Sequence, residues 1–498
     1  MAPSKKLKIL FVTSELFPFV KTGGLADVSA ALPQVLNEHH EVRIIVPKYG
    51  AIDTRKYKIH DVVRLKDLSI SLGEKQITFS IRSSFLPVPK SKPQIYFVDS
   101  QEYFGSKKSL YSNPLTGQDH PDNDESFILF NRAVFELIVK LGWVPDIIHC
   151  NDWQASLVPI YKQTLYKEVS ALAKVRVLLT VHNFATQGVF DTSSFVKTGL
   201  PANLNTEKGL VHEGKLNFLK AGIVYADAVN TVSEGHAKET LHDKEFSYGM
   251  SKFLNRRKES YFGMVNGIDS NVWNPEKDSF IKHKYTVKTL EKKYENKRDL
   301  LERFNLSYDE STPLVGIISR LTDSKGIDII AEALPRLLER NVQIVLLGTG
   351  DRKYHVVFDK IQKEFPKKFK AFLGFNDELA HLIEAGSDIY LMPSKTEPCG
   401  LNQMYSLIYG TVPLVRETGG LADTISRFNS KTGEGSGFMF KEYSAEAFIK
   451  EFDRALKYYS QKDVWKSIQK RGMGMDFSWN ATTKRYIDLY KTILSAQG

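Results

Sequence analysis

The amino-acid sequence predicts an α/β protein built from two doubly wound parallel-sheet domains. The chain has 498 residues, more than one hydrophobic core usually needs. Short apolar runs alternate with longer amphipathic stretches along its whole length, which is typical of buried parallel strands connected by helices. The hexapeptide Thr-Gly-Gly-Leu-Ala-Asp occurs at 22–27 and again at 418–423. Either the same type of loop is present once in each domain, or two glycine turns are similar by chance.

Continuous Val, Ile and Leu runs predict the strands of both domains. We expect a first domain over 1–262 and a second domain over 263–475. The segment 476–498 contains a last helix that could return to the first domain. The lysine-rich stretch 291–304 is predicted to be a solvated helix. The predicted strands are 8–13, 41–46, 146–150, 175–181, 227–232, 261–266, 314–320, 342–348, 370–374, 388–393 and 412–415.

Composition excludes several classes of protein. Apolar residues make up 42% and charged residues 25% of the chain, which argues against a disordered, collagenous or membrane-spanning polypeptide. The net charge of +10 suits acidic small molecules, but the sequence contains no concentrated basic tract or nucleic-acid-binding module. The two cysteines, Cys150 and Cys399, form no disulfide framework, and the first apolar run is too short for a signal peptide. We therefore expect a cytoplasmic protein that binds neither membrane nor nucleic acid.

The first candidate site follows the first strand. Lys21, Gly23 and Gly24 precede the predicted helix 25–36, and two glycines permit close approach of the backbone to a ligand. Free N–H groups at the helix start and the ammonium of Lys21 predict an anion site, most simply for phosphate. The sequence has neither a Walker loop nor a Gly-x-Gly-x-x-Gly fingerprint, which argues against an NAD-linked dehydrogenase.

A second candidate site lies between a strand and a helix in the second domain. Arg320 ends a buried strand and Lys325 precedes the next helix. Two cations that converge on one loop can neutralise a departing diphosphate, a task that a divalent metal performs in other proteins. The alternative is a pair of ordinary surface charges, but ligands of α/β sheets bind at the carboxyl ends of strands.

A third candidate site contains Glu397, Cys399, Gly400 and Leu401. A carboxylate after a strand can hold sugar hydroxyls or stabilise positive charge at an anomeric carbon. The alternative is that Glu397 only stabilises the dipole of the helix that follows. Cys399 has no neighbouring histidine in the sequence, so we expect it to line the site rather than to act as a nucleophile.

Polar residues follow three further strands. Asp152, His182, Asn183 and Asn266 are candidates for this reason, although a lone histidine is more often structural. The sequence Asp122-Asn-Asp124 is similar to the Asp-x-Asp metal motif of some sugar transferases, but it immediately precedes a predicted helix. N-capping would explain these aspartates fully, so we expect no metal.

Taken together, these motifs resemble the bacterial glycogen synthases and plant starch synthases that use ADP-glucose. The resemblance covers nearly the whole chain, and its specificity comes from many motifs in the same order. Asn151 stands where the family commonly has a second histidine. The matching motifs are Lys21-Thr-Gly-Gly-Leu-Ala-Asp-Val28, His182-Asn183, Asn266-Gly-Ile-Asp269, Ser319-Arg-Leu, Lys325-Gly, Gly348-Thr-Gly-Asp351, Glu397-Pro-Cys-Gly-Leu401, Thr418-Gly-Gly-Leu-Ala-Asp423 and Phe477-Ser-Trp-Asn.

The resemblance implies a GT-B fold, in which two Rossmann-like domains face a cleft, and a retaining transfer of glucose to the non-reducing end of an α-1,4-glucan such as glycogen or maltodextrin. By this likeness Lys21, Thr418 and Gly419 contact the donor, Arg320 and Lys325 hold its phosphates, and Glu397 engages the glucose. Asp152 and His182 would line the sugar and acceptor side, with Asn183 and Asn266 beside them. No carboxylate is clearly a covalent nucleophile, so a front-face substitution is expected, without metal or other cofactor.

Two other functions remain open at this point. One is a GT-B transferase that uses a UDP-sugar and another acceptor, or a phosphorolytic enzyme, because a fold does not fix function. The other is a glucan-binding protein that has lost turnover, although Lys21, Lys325 and Glu397 are all present. The oligomeric state is not predicted.

Overall fold

A computed structural model describes residues 6–113 and 116–496, and the chain folds into two units. The N-terminal unit comprises Met1–Val232, Ala237–Met264 and Trp479–Gly498, and the C-terminal unit comprises Ser233–His236 and Val265–Ser478. These boundaries lie close to the expected domain ends at 262 and 475. Among the described residues, no helix combines the length and the apolar character that crossing a bilayer requires.

The N-terminal unit is built around a large mixed sheet. Parallel strands form its centre in the order β13-β12-β8-β7-β1-β2-β6, and antiparallel strands β5, β3 and β4 extend one edge. Strands β9 to β11 form a small separate antiparallel sheet. The strands are β1 (Lys8–Val12), β2 (Glu41–Pro47), β3 (His60–Asp61), β4 (Leu68–Leu72), β5 (Lys75–Phe85), β6 (Gln94–Asp99), β7 (Ile147–Asn151), β8 (Arg176–Val181), β9 (Val189–Phe190), β10 (Val211–His212), β11 (Lys215–Asn217), β12 (Ala228–Thr231) and β13 (Tyr261–Gly263).

The parallel strands of this sheet match the predicted runs except for β6, which was not predicted. The antiparallel extension was not predicted either. The strand β5 is half-exposed, with a burial pattern that alternates along much of its length, so it contains no continuous apolar run. The helices in this part of the chain are α1 (Gly24–Leu36), α2 (Asn123–Leu141), α3 (Val158–Gln163), α4 (Phe218–Tyr225), α5 (Glu234–His242), α6 (Lys244–Ser247) and α7 (Ser251–Asn255).

The C-terminal unit contains a parallel sheet in the order β16-β15-β14-β17-β18-β19. In chain order this is 3-2-1-4-5-6, the doubly wound order of Rossmann sheets. Its strands are β14 (Leu314–Leu321), β15 (Gln343–Gly350), β16 (Phe369–Leu373), β17 (Ile389–Met392), β18 (Val412–Arg416) and β19 (Phe438–Phe440). Its helices are α8 (Lys293–Arg303), α9 (Ile327–Leu338), α10 (Arg352–Glu364), α11 (Asp377–Gly386), α12 (Asn402–Ile408), α13 (Gly419–Thr424), α14 (Ala445–Tyr459) and α15 (Lys462–Met473).

The last helix, α16 (Trp479–Ser495), belongs to the N-terminal unit. Tyr486 and Tyr490 are fully buried in that unit's core, and the Tyr490 hydroxyl lies 2.8 Å from Nδ1 of His149 in β7. The apolar face of α16 is therefore buried against the central strands of this sheet.

The expectation of a solvated helix over 291–304 is wrong for two of its lysines. Lys293 and Lys297 on α8 are buried. Lys297 forms an ion pair of 2.7 Å with the buried Asp388, and Lys293 donates to the carbonyls of Glu384 and Ala385. Burial lowers the pKa of Lys293 to about 7. A lysine-rich sequence does not show which of its ammonium groups are buried as hydrogen-bond donors to buried carbonyl oxygens.

Candidate active site

Both sheets have a topological switch point, where strand order reverses and the loops at the carboxyl ends of two neighbouring strands diverge. In the N-terminal unit the reversal falls between β1 and β7, and in the C-terminal unit between β14 and β17. Ligands of open α/β sheets bind at such points. The loop that carries Lys21 follows β1, Asp152 follows β7, Lys325 follows β14 and Glu397 follows β17. Each unit therefore presents predicted site residues at its own switch point.

In the C-terminal unit, an ion pair joins two of the predicted residues. Nζ of Lys325 lies 2.6 Å from Oε2 of Glu397, which also accepts a hydrogen bond of 3.1 Å from Oγ of Ser394. The Glu397 side chain is 7% exposed and that of Lys325 is 19% exposed. A charge-assisted contact with so little water is strong and directional. The structure thus fixes the carboxylate and brings the ammonium to it, although the sequence analysis assigned the two groups to separate sites.

Gly326 permits this approach. Its φ is +73°, and a Cβ at this position would overlap the carbonyl oxygen of Pro393, in the loop after β17. The backbone N–H of Lys395 in that loop donates to the carbonyl of Ser324 at 3.0 Å. Any larger residue would separate the loop after β14 from the loop after β17.

Arg320 and Phe375 are exposed at the same carboxyl edge of the C-terminal sheet. Within residues 6–113 and 116–496, no carboxylate lies within ion-pair distance of the Arg320 guanidinium, so its charge is available to an anion. Phe375 follows the end of β16 and is 87% exposed. Phe375 was not among the predicted site residues, although it is an aromatic residue directly after the predicted strand 370–374.

The segment Cys399–Leu401 and the second copy of the repeat contact each other. The N–H of Gly420 donates to the carbonyl of Glu397 at 3.0 Å, and a Cβ on Gly420 would overlap the backbone of Cys399. Thr418 and Gly419 are buried at the start of α13. In both copies the repeat extends into the helix, which begins at Gly24 in α1 and at Gly419 in α13, and α13 is only six residues long.

Cys399 and Asn266 form a second contact in this unit. The Cys399 thiol is buried and accepts a hydrogen bond from the backbone N–H of Asn266, and burial raises the pKa of this thiol to about 12. A protonated thiol is a poor nucleophile, in agreement with the predicted lining role. Asn266 is itself buried, and its Oδ1 accepts no hydrogen bond from the described residues. An unsatisfied buried acceptor of this kind is suited to a ligand hydroxyl.

In the N-terminal unit, the loop with Lys21 is organised by a residue that the sequence analysis missed. The buried carboxylate of Glu15 accepts hydrogen bonds from the N–H groups of Thr22 and Gly23, at 2.6 and 3.1 Å. The prediction that N–H groups at this helix start are free is therefore wrong for these two. Nζ of Lys21 lies 2.8 Å from Asp27, and both side chains remain nearly half exposed. The available signal was a glutamate two positions after the predicted strand 8–13.

Asp152 and His182, at the ends of the neighbouring strands β7 and β8, lie next to each other. Oδ1 of Asp152 accepts a hydrogen bond of 2.7 Å from the backbone N–H of His182, and burial raises the pKa of the Asp152 carboxyl to about 7. Asp152 has φ 55° and ψ −174°, a conformation that residues other than glycine rarely adopt. Strain of this kind persists where the surrounding structure imposes it, typically at functional sites.

His182 has a defined hydrogen-bonding state. Nδ2 of Asn151 donates to the carbonyl of Val12, so Oδ1 of Asn151 faces His182 and accepts a hydrogen bond of 3.0 Å from its Nε2–H. Burial lowers the pKa of His182 to about 4, so the ring is neutral near pH 7, with its lone pair on Nδ1. Asn183 is exposed beside it, and its Oδ1 accepts a hydrogen bond from the N–H of Ala185.

The two acidic residues at the start of α2 are held by lysines. Asp122 occupies the N-cap position but makes no side-chain capping bond, so N-capping does not explain it fully. Asp122 pairs with Lys107 and Asp124 with Lys197, each at 2.8 Å. In the described part of the chain, no group of three or more His, Cys, Asp or Glu side chains is arranged to hold a metal ion.

Two Rossmann-type sheets, each with polar and glycine-rich loops at its switch point, define the class as a GT-B glycosyltransferase. Residues 8–256 match the family described as starch synthase catalytic domain, and residues 300–471 match glycosyl transferases group 1. The chain belongs to the family of glycogen and starch synthases. The predictions of this family, of the GT-B fold and of a glycosyltransferase are therefore confirmed.

Full-length relatives support the same assignment. The chain is 39% identical to a glycogen synthase of Chlorobaculum parvum, covering 98% of this chain and 99% of the relative. It is 40% identical to a glycogen synthase of Thermotoga maritima, covering 99% and 100%. Among solved structures, the catalytic domain of starch synthase IV from Arabidopsis thaliana, bound to ADP and acarbose, has a TM-score of 0.85 and 31% identity, covering 99% and 100%. The sucrose-phosphate synthase of Thermosynechococcus elongatus, covering 99% of this chain and 100% of its own, shares the fold at a TM-score of 0.59 and 16% identity.

Proposed function

We propose that this glycogen- or starch-type synthase transfers glucose from ADP-glucose to the non-reducing end of an α-1,4-glucan, with retention of the anomeric configuration. The observation that carries the proposal is the buried Lys325–Glu397 pair at the switch point of the C-terminal sheet. The catalytic domain of starch synthase IV from Arabidopsis thaliana, which is similar to this chain, is bound to ADP and acarbose.

The donor phosphates are proposed to bind to Arg320 and Lys325. The exposed Arg320 guanidinium lies near the end of β14 and the Lys325 ammonium lies in the loop after it, and two cations suit the diphosphate that leaves during the reaction. The backbone at Thr418 and Gly419 is proposed to lie near the diphosphate. Lys21, Gly23 and Gly24 remain predicted donor-binding residues.

Phe375 is proposed to stack on the adenine base of the donor. Its ring is almost fully exposed at the carboxyl edge of the sheet, where a nucleotide binds in Rossmann folds. Burying such a ring against a purine is worth about 1–3 kcal/mol. A phenylalanine ring that is this exposed contributes little to the stability of the fold unless a ligand covers it.

The glucose is proposed to bind to Glu397 and the segment Cys399–Leu401. The Glu397 carboxylate is held in place by Lys325 and Ser394, so it is preorganised to accept hydrogen bonds from sugar hydroxyls. Both contacts are to Oε2, and a sugar hydroxyl is proposed to donate to Oε1. The buried Oδ1 of Asn266 is a further acceptor for a sugar hydroxyl.

The reaction is proposed to be a front-face substitution. The bond between the anomeric carbon and the phosphate oxygen breaks with its electron pair on ADP, and a glucan hydroxyl forms the new bond on the same face. The hydroxyl proton passes to the departing phosphate oxygen. Asp152, His182 and Asn183 are proposed to orient the glucan, with no bound metal required. Trapping of a glycosyl ester on any carboxylate would contradict this route.

A product analysis tests the proposed function. The protein is incubated with ADP-glucose and maltoheptaose, and the products are separated by length and treated with β-amylase, which cleaves only α-1,4 chains from the non-reducing end. We expect chains longer by one glucose that are fully digestible. A resistant product would contradict either the linkage or the acceptor end. Transfer only from UDP-glucose would be compatible with the proposed site but would exclude ADP-glucose as the donor. The cytoplasmic location remains a prediction.

A further inference from the structure

Tyr248 is an exposed aromatic residue that the sequence analysis did not select. It follows the short helix α6 in the N-terminal unit and is 52% exposed. Its backbone is left-handed, with φ 48° and ψ 44°, which is unfavourable for a residue with a large side chain. A strained backbone that presents a ring to water needs a compensating interaction.

The interaction comes from Gln187, which belongs to the loop after His182 and Asn183. Nε2 of Gln187 donates to the carbonyl of Tyr248 at 2.9 Å and to the carbonyl of Phe184 at 3.0 Å. One amide therefore ties the segment with Tyr248 to the loop with the proposed glucan-binding residues.

The orientation of the Gln187 amide is itself fixed. Oδ1 of Asn217 accepts from the N–H of Lys220, so Nδ2 of Asn217 donates to Oε1 of Gln187, at 2.6 Å. Asn217 is buried and caps α4, and the N–H of Leu219 in the same helix donates to the carbonyl of Gln187 at 3.0 Å. With Oε1 occupied as an acceptor, only Nε2 can face the two carbonyls, so Tyr248 is held by a rigid support.

We propose that Tyr248 is a glucan-binding residue whose ring stacks on a glucose unit of the acceptor, and that Gln187 is the positioning residue that holds it. A tyrosine ring offers a flat apolar face to the C–H groups of a pyranose and a hydroxyl at its edge, at a low cost in side-chain entropy. The substrate class is an α-1,4-glucan long enough to extend beyond His182 and Asn183. The inference rests on the proposed function and adds a binding residue for its acceptor.

Substitutions of Tyr248 separate the ring from the backbone. Tyr248→Asn removes the ring but suits a left-handed backbone, and Tyr248→Phe keeps the ring. We expect Tyr248→Asn to raise the KM for maltoheptaose about five- to ten-fold, with the KM for ADP-glucose unchanged, whereas Tyr248→Phe stays near wild type. Phe85→Ala, at another exposed aromatic residue of the same unit, is the control and should change neither KM.

Gln187→Glu tests the positioning role, because an ionised carboxylate cannot donate to the carbonyls of Tyr248 and Phe184. We expect the KM for maltoheptaose to rise, and we expect the double variant with Tyr248→Asn to be no worse than the worse single variant. Additive effects would show that Gln187 does not act through Tyr248. If the wild type transfers glucose but Tyr248→Asn retains its glucan KM, the inference is wrong and the proposed function stands. If the wild type transfers nothing, the proposed function itself fails.

Discussion

Replacing Asp152 by asparagine should stabilise the N-terminal unit at neutral pH. Burial raises the pKa of this carboxyl from 3.8 to about 7. Between pH 3.8 and about pH 7 the unfolded chain releases this proton while the folded chain keeps it. The free energy of unfolding therefore falls by about 1.4 kcal/mol for each pH unit in this range. The contribution of Asp152 is thus most favourable below about pH 4 and is lost as the pH rises to about 7. Between pH 5 and pH 8 the loss amounts to about 3 kcal/mol at most.

Thermal unfolding of wild type and Asp152→Asn at pH 5 and pH 8 measures this effect. Asparagine keeps an oxygen for the N–H of His182 but does not titrate. We expect the difference in Tm between variant and wild type to grow by up to about 5 °C from pH 5 to pH 8. Activity should fall, because a strained, buried acid is retained for function rather than for stability.

The control for this experiment is an exposed aspartate of the same unit. The pKa of Asp53 lies below its ordinary value because the carboxylate accepts hydrogen bonds from the backbone N–H groups of Lys56 and Arg55. Asp53→Asn should therefore give no gain in Tm at pH 8. An equal Tm difference at pH 5 and pH 8 for Asp152→Asn would refute the assigned cost of burial.

Three further predictions concern the C-terminal unit. Lys325→Met and Glu397→Gln should each lower kcat by on the order of a hundred-fold while circular dichroism shows a folded protein; a large fall in Tm with kcat retained would contradict their roles. Phe375→Ala should raise the KM for ADP-glucose about ten-fold and leave the KM for glucan unchanged, and an unchanged donor KM would exclude base stacking. Cys399→Ser should retain kcat within about two-fold, and iodoacetamide should react slowly with the native thiol, because this thiol is buried and protonated; rapid inactivation would contradict a lining role.

Continuous apolar runs and their turns predicted the centre of both sheets. A parallel strand buried on both faces leaves a strong signal, so the positions of Lys21, Asp152, Lys325 and Glu397 at strand ends followed from the sequence. The half-exposed β5 has a weaker pattern, and the antiparallel edge was missed for that reason. Local sequence patterns therefore predicted the positions of the candidate site residues better than the number of strands in the sheet.

The pairing of side chains within the sites could not be predicted. Glu397 and Lys325 are 72 residues apart, and their contact depends on the neighbouring positions of β14 and β17. Glu15 binds N–H groups that the sequence pattern left open for an anion. Gln187 and Tyr248 are joined through a side-chain amide that leaves no periodic signal. Such contacts arise from tertiary packing, on which short-range patterns carry no information.

Glucose transfer from ADP-glucose to an α-1,4-glucan by protein side chains is tested by incorporation of labelled glucose into glycogen, measured separately with ADP-glucose and UDP-glucose and with EDTA present. We predict incorporation from ADP-glucose at a rate that EDTA does not change, and little or none from UDP-glucose. Incorporation that EDTA abolishes, or that requires UDP-glucose, would contradict the account.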